Sequence, residues 1–138
     1  MSLDTLTIDE VSETFEFMDD WEDRYRYLIE LGRELPELGE EEMTDEFKVR
    51  GCQSQVWLVP SMVDGSLMLR GNSDAHIVKG LVALMLVIFS GKTPTDILKT
   101  DALAILNSLG LKDHLSPMRA NGLFSMVERI GDLAQASN

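Results

Sequence analysis

The most constraining stretch of this chain is residues 80–89, Gly-Leu-Val-Ala-Leu-Met-Leu-Val-Ile-Phe, which carries no polar side chain at all. A surface helix shows one apolar stripe; a segment that is apolar on every side must be covered on every side. It is about half the length that a helix needs to cross a bilayer. The remainder of the chain therefore has to wrap a central buried helix. Ser73 or Asp74 can cap that helix, which runs to Phe89 and ends at Gly91. With 138 residues, 44% of them hydrophobic and 26% charged, the chain has the material to do so as one folded domain.

The segments before residue 73 supply the first layers. Thr7 with Glu10 reads as a capping box opening a helix over about 8–18. A second helix starts near Asp20, spaces Trp21, Tyr25, Leu28 and Leu35 at helical intervals, and stops at Pro36. Residues 37–46 are acidic and aperiodic, a surface loop. Short strands are expected over 47–50, 55–59 and 67–70, with Gly51-Cys52-Gln53 as the first turn and Asp64-Gly65 as a hairpin turn. Pro60 suits an edge or a bulge.

After the central helix, Thr93-Pro94 and Asp101 open two short helices, the second closed by Gly110. Ser116-Pro117 opens the last helix, with Leu123, Met126, Val127, Ile130 and Ala134 on one face. His114 falls in the loop before it, and most of the eight methionines fall on core-facing positions. The expected fold is α+β, a small three-stranded antiparallel sheet packed with helices. It is one domain over 1–138, with acidic helices over 7–35, a sheet with a thiol loop over about 47–71 and helices over 73–136.

Charge narrows the partners. Residues 1–50 hold 17 acids and 5 bases, while residues 51–138 hold 7 of each, so the whole net charge of −12 sits in the first third. An acidic face keeps a protein soluble and steers a basic partner; it disfavours nucleic acid, which requires clustered Lys and Arg. Met1 to Glu10 has three acids and no basic n-region of a secretory signal, no segment is long enough for a membrane span, and a single cysteine makes no internal disulfide. A reducing, cytoplasmic setting is expected.

Cys52 is that single cysteine. One cysteine is either a small buried hydrophobe or an accessible thiol. Here it follows Gly51, which permits a tight turn, and precedes the polar run Gln53, Ser54, Gln55. The lack of a second cysteine argues against dithiol redox chemistry and removes cysteine-rich zinc and iron–sulfur sites. It also suits a persulfide carrier, because a neighbouring thiol would discharge the persulfide as a disulfide. No base is assignable to the thiol: His76 falls in the first turn of the central helix, and nothing ties it or His114 to Cys52. Arg119 stands in the first turn of the last helix, where a cation opposes the helix dipole, a local conflict that can mark function.

The string Arg50-Gly51-Cys52-Gln53-Ser54-Gln55-Val56-Trp57 closely resembles the signature of the SufE family of sulfur acceptor proteins. Three further stretches agree in order: Trp21 to Pro36, Asn72-Ser73-Asp74-Ala75-His76-Ile77-Val78-Lys79-Gly80-Leu81, and Leu115-Ser116-Pro117-Met118-Arg119-Ala120-Asn121-Gly122-Leu123. The resemblance implies a fold similar to that of IscU-type scaffolds. It implies that Cys52 accepts sulfane sulfur from a pyridoxal-phosphate cysteine desulfurase, SufS-like or CsdA-like, and stimulates that enzyme. Sulfur then passes to a downstream iron–sulfur scaffold or other acceptor. Gly51, Gln53 and Ser54 would form the supporting thiol loop, sheltered at rest and hinged to swing out, with Asp74 and Arg119 as supporting or partner-contact residues. The chain itself is expected to hold no cofactor and no metal. Two other readings stay open: a regulatory partner of a desulfurase that acts by binding alone, and a stand-alone thiol enzyme.

Overall fold

The computed structural model describes residues 3, 5–52 and 54–137. Its elements in chain order are α1 (Ile8–Phe17), α2 (Trp21–Arg33), β1 (Val56–Val63), β2 (Ser66–Ser73), α3 (His76–Phe89), α4 (Pro94–Lys99), α5 (Ala102–Ser108), α6 (Leu111–His114) and α7 (Pro117–Ser137). The fold is α+β, and α3 is its centre. From Gly80 to Phe89 every residue but Val87 is buried, with α2, β2 and α7 packed around it.

The contact with α2 is the tightest. A Cβ built on Gly80 would lie 2.3 Å from the Leu28 carbonyl oxygen, and one on Gly32 would lie 2.7 Å from the Gly80 nitrogen. Two glycines thus let the helix backbones touch, while Leu28 and Leu31 of α2 bury completely beside them. α1 is held against α2 by Arg24, whose guanidinium donates to the Phe15 and Met18 carbonyls and lies 5.5 Å over the Phe15 ring. The expected capping box at the start of α1 is complete: the Glu10 N–H donates to Thr7 Oγ1, and the Thr7 N–H donates to Glu10 Oε1.

The sheet has two strands rather than three. β1 and β2 pair antiparallel, Val56 with Ser73 through Val63 with Ser66. Asp64 (φ 52°) and Gly65 (φ 83°) make the left-handed two-residue turn that such a hairpin favours. Residues 47–50 supply only a single bridge, Lys48 to Trp57. The pairing cannot lengthen, because a turn closes on its N-terminal side (Phe47 N–H to Thr44 O, 3.1 Å) and Gly51 at φ 89° bends the chain away on the other. Pro60 costs the hairpin nothing. Leu58 N–H donates to the Phe47 carbonyl and Val56 O accepts from Val49, so the even positions of β1 face away from β2, and Pro60 shares that parity. The outer edge of β2 is closed by Ser90, Gly91 and Lys92. Arg70 of β2 clasps both carboxylate oxygens of Glu42 and pins the acidic loop. That hydrogen bond, with a second from the Gly39 N–H, lowers the Glu42 pKa.

Three other expectations need correction. Neither Ser73 nor Asp74 is the N-cap of α3; Ala75 is, and no side chain caps it, because both candidates are engaged by Gln55. His114 is not in a loop but ends α6, a single helical turn that follows Gly110 at φ 76°. The methionines do not mostly fill the core: Met85 and Met126 are buried, whereas Met43, Met62, Met68 and Met118 are exposed. Among the described residues no helix is long and apolar enough to cross a membrane.

The α2–α3 contact is directly testable. Alanine gains up to ~1 kcal/mol over glycine in a helix interior, but at Gly80 its methyl collides with backbone that cannot step aside. Gly80→Ala is expected to lower stability by about 1–3 kcal/mol, the usual range for overpacking, as a lower urea midpoint with unchanged slope.

Candidate functional site

Gly51 and Cys52 lie along one face of α7. The chain leaves the Lys48 bridge, turns at Gly51 and descends the helix. Gly51 lies over Ser125, where a Cβ would stand 2.5 Å from Ser125 Oγ. Its left-handed backbone is the reason for glycine at this position. Cys52 lies over Gly122: its thiol donates to the Gly122 carbonyl oxygen at 3.5 Å. A Cβ on Gly122 would be 3.5 Å from Sγ, an ordinary packing distance, so the sulfur rests directly against this turn of the helix. Ser125, Gly122 and Met118 follow at spacings of three and four, one stripe of the helix.

The far end of the loop is clamped. The Gln55 N–H donates to the Asp74 carboxylate (3.1 Å), the Asp74 N–H donates to Gln55 O (3.3 Å), and the Ser73 hydroxyl donates to the same oxygen (2.6 Å). The loop thus runs from a pliable glycine to a fixed glutamine.

Cys52 is half-buried and stands at the wall of a cavity of about 100 Å³. Leu81, Val78 and Met126 give it an apolar floor, while Ser54 and Arg119 bring polar groups to it. On its other side the thiol borders an open cleft with Gly51, Met118 and Asn121. Burial pushes the Cys52 pKa up from the ordinary thiol value. A carbonyl oxygen facing the sulfur acts in the same sense, since it accepts from S–H and repels S⁻. Both effects favour the protonated thiol over the thiolate at this seat.

Cys52, Ser54 and Arg119 therefore share one cavity, and Gly51 flanks it. Asp74 reaches the loop through its Gln55 hydrogen bond and is not part of the cavity wall. Gln53 lies outside the described residues. The guanidinium of Arg119 is exposed and has no ion pair among them. Neither histidine is hydrogen-bonded to the thiol: among the described residues the thiol's hydrogen bond runs to Gly122, His114 is stacked on Trp21 at 4.0 Å, and His76 is exposed. No group of three or more potential metal ligands occurs among the described residues. Gly122, Met118 and Ser125 were not recognisable as site residues from the sequence. The available signal was a glycine inside a long helix, a position that costs about 1 kcal/mol unless space is needed.

Known proteins match the chain along nearly all of its length. A family model named SufE, described as an Fe–S metabolism associated domain, matches residues 9–134. A SufE-like protein of Rhizobium meliloti (strain 1021) is 53% identical over 133 residues, covering 94% of this chain and 95% of that protein. A SufE-like protein of Rhizobium etli is 50% identical over 133 residues, covering 94% and 90%. The solution structure of a hypothetical protein from Thermus thermophilus superposes with a TM-score of 0.76 at 20% identity over 94% of each chain, a likeness of fold.

The burial of Cys52 has a pH signature. Its folded pKa lies above the unfolded one, so the folded state loses stability only where the unfolded thiol ionises. Relative to Cys52→Ser, the wild type should be progressively destabilised as pH rises through and beyond the ordinary thiol value of 9.0. The iodoacetamide reaction of the folded protein should likewise reach its midpoint at higher pH than that of the urea-unfolded chain. Coincident midpoints would contradict the desolvated thiol.

Proposed function

The chain belongs to the SufE family, and on that premise we propose that it is a sulfur acceptor in iron–sulfur metabolism that carries persulfide on Cys52. The donor in this reading is the persulfide of a pyridoxal-phosphate cysteine desulfurase. The pyridoxal phosphate belongs to that partner. The Cys52 thiolate attacks the outer sulfur of the partner's Cys–S–SH; a new S–S bond forms on Cys52, the old one breaks, and the partner's cysteine leaves as thiolate. The sulfur then passes to an acceptor in cluster assembly by the same exchange. Activity in a cytoplasmic, reducing setting keeps Cys52 free for this exchange.

The observation that carries the reading is a single half-buried thiol seated against α7, on a loop with a left-handed glycine at one end and a hydrogen-bonded clamp at the other. At rest the raised pKa keeps the nucleophile suppressed. When Gly51 lets the loop swing out, desolvation and the facing carbonyl are both lost, and thiolate becomes accessible where the partner presents its sulfur. Asp74 keeps the far hinge in place. Arg119, without an ion pair among the described residues, offers a cation at the cavity rim to a sulfur anion or to a carboxylate of the partner. The acidic first third steers a basic surface of the partner into range. Stimulation of the desulfurase follows from removal of its persulfide product.

Incubation with a desulfurase and L-cysteine should add about 32 Da, one sulfur atom, removable by dithiothreitol. Cys52→Ser should show no adduct and no stimulation of alanine release. The reading fails if wild-type protein gains no mass while the desulfurase turns over. If Cys52→Ser still stimulates, the chain acts on the enzyme by binding alone.

A further inference from the structure

Met118 occupies a position that the chemistry above does not use. Apart from Cys52, it is the only described residue shared by the enclosed cavity and the open cleft that flank the thiol. It therefore stands between the two. It lies in the first turn of α7, one turn before the Gly122 seat, and is 55% exposed, the most exposed methionine among those described. An unbranched side chain with three rotatable bonds at such a site covers its neighbour without being locked in place. Its large exposed apolar surface beside the reacting sulfur has no counterpart to cover it in the free protein.

From this geometry we infer that Met118 is a specificity-determining residue: it screens Cys52 from small-molecule thiols, so that sulfur is exchanged only with a macromolecular partner whose surface displaces it. The inference rests on the carrier reading for its consequence but not for its geometry. Discharge by a small thiol needs a thiolate to approach the outer sulfur in line with the S–S bond. A bond then forms to that sulfur, the bond to Sγ breaks, and Cys52 leaves as thiolate and takes up a proton. With the sulfur seated over Gly122, the cavity walls stand on one side, and the cleft on the other is bordered by Met118 together with Gly51 and Asn121. A docking protein can cover the exposed methionine and turn it aside as part of its interface. A small dissolved thiol has no such surface.

The test has two arms. In the first, which involves no desulfurase, resting protein is alkylated with iodoacetamide. Met118→Ala should react about tenfold faster than wild type, equivalent to ~1.4 kcal/mol off the barrier. Met118→Leu, of similar volume, should react at the wild-type rate, and all three proteins should keep the same urea midpoint. Equal rates for wild type and Met118→Ala, or a lower midpoint that accounts for the acceleration, overturn the screen. In the second arm, sulfur-loaded protein is challenged with glutathione and the loss of the added mass is followed. The ratio of discharge rate to loading rate should rise about tenfold in Met118→Ala and not in Met118→Leu. An unchanged ratio overturns the specificity role. A protein that never loads sulfur sinks the carrier reading, while the alkylation arm still decides whether Met118 screens the thiol.

Discussion

Everything in this molecule depends on the approach of α2 to α3 at Gly32 and Gly80. A helix with no polar side chain over ten residues gains stability only if it is covered, at roughly 25 cal/mol per Å² of apolar area removed from water. Side chains at either glycine would force the helices apart and open voids along the most apolar part of the chain. With backbone against backbone, Leu28 and Leu31 sink fully beside α3. The opposite face of α3 is then left to β2 and α7. Ala75, Val78 and Leu81, from the first turns of that same helix, become the floor beneath Cys52. The thiol cavity is an outlying corner of the core.

The junction of β2 and α3 makes an exchange that favours this corner. Ser73 and Asp74 have the chemistry of helix caps, and a missing cap costs about 1 kcal/mol. Both side chains instead bind Gln55, leaving α3 with Ala75 and no side-chain cap. Each of those hydrogen bonds is worth about 0.5–1.5 kcal/mol net. The two bonds together offset the missing cap. The effect of the arrangement is positional: one end of the thiol loop is fixed to the start of the central helix.

The central helix, the capping box at Thr7, the Asp64-Gly65 turn and the tight turn at Gly51 were all legible, because each follows from local pattern or turn chemistry. The third strand was not. Residues 47–50 have a strand-like composition, yet a turn at 44–47 and the left-handed Gly51 leave room for one bridge. The capping role of Ser73 and Asp74 was misread for a related reason, since a side chain that can cap a helix can equally bind a strand eighteen or nineteen residues away. The seat on α7 was illegible because it arises only when residue 52 is laid over residue 122, a separation of 70 residues that periodicity does not encode.

Charge and reactivity work at different ranges on this surface. The excess negative charge belongs to residues 1–50, and its attraction reaches about a Debye length, ~8 Å at physiological salt. Around the sulfur the pattern differs: Arg119 is exposed, without an ion pair among the described residues, and Met118 is bare. On the proposed carrier reading, a partner drawn in by the acidic first third would meet, at the thiol cavity, one cation and an apolar side chain. In that reading the acidic field would favour a basic protein, while the contact zone would favour a surface that offers a carboxylate and apolar cover. A small anionic thiol would be repelled by the first and is too small to satisfy the second. In the proposed carrier the two filters would act in series, and both would lie outside the sulfur chemistry itself.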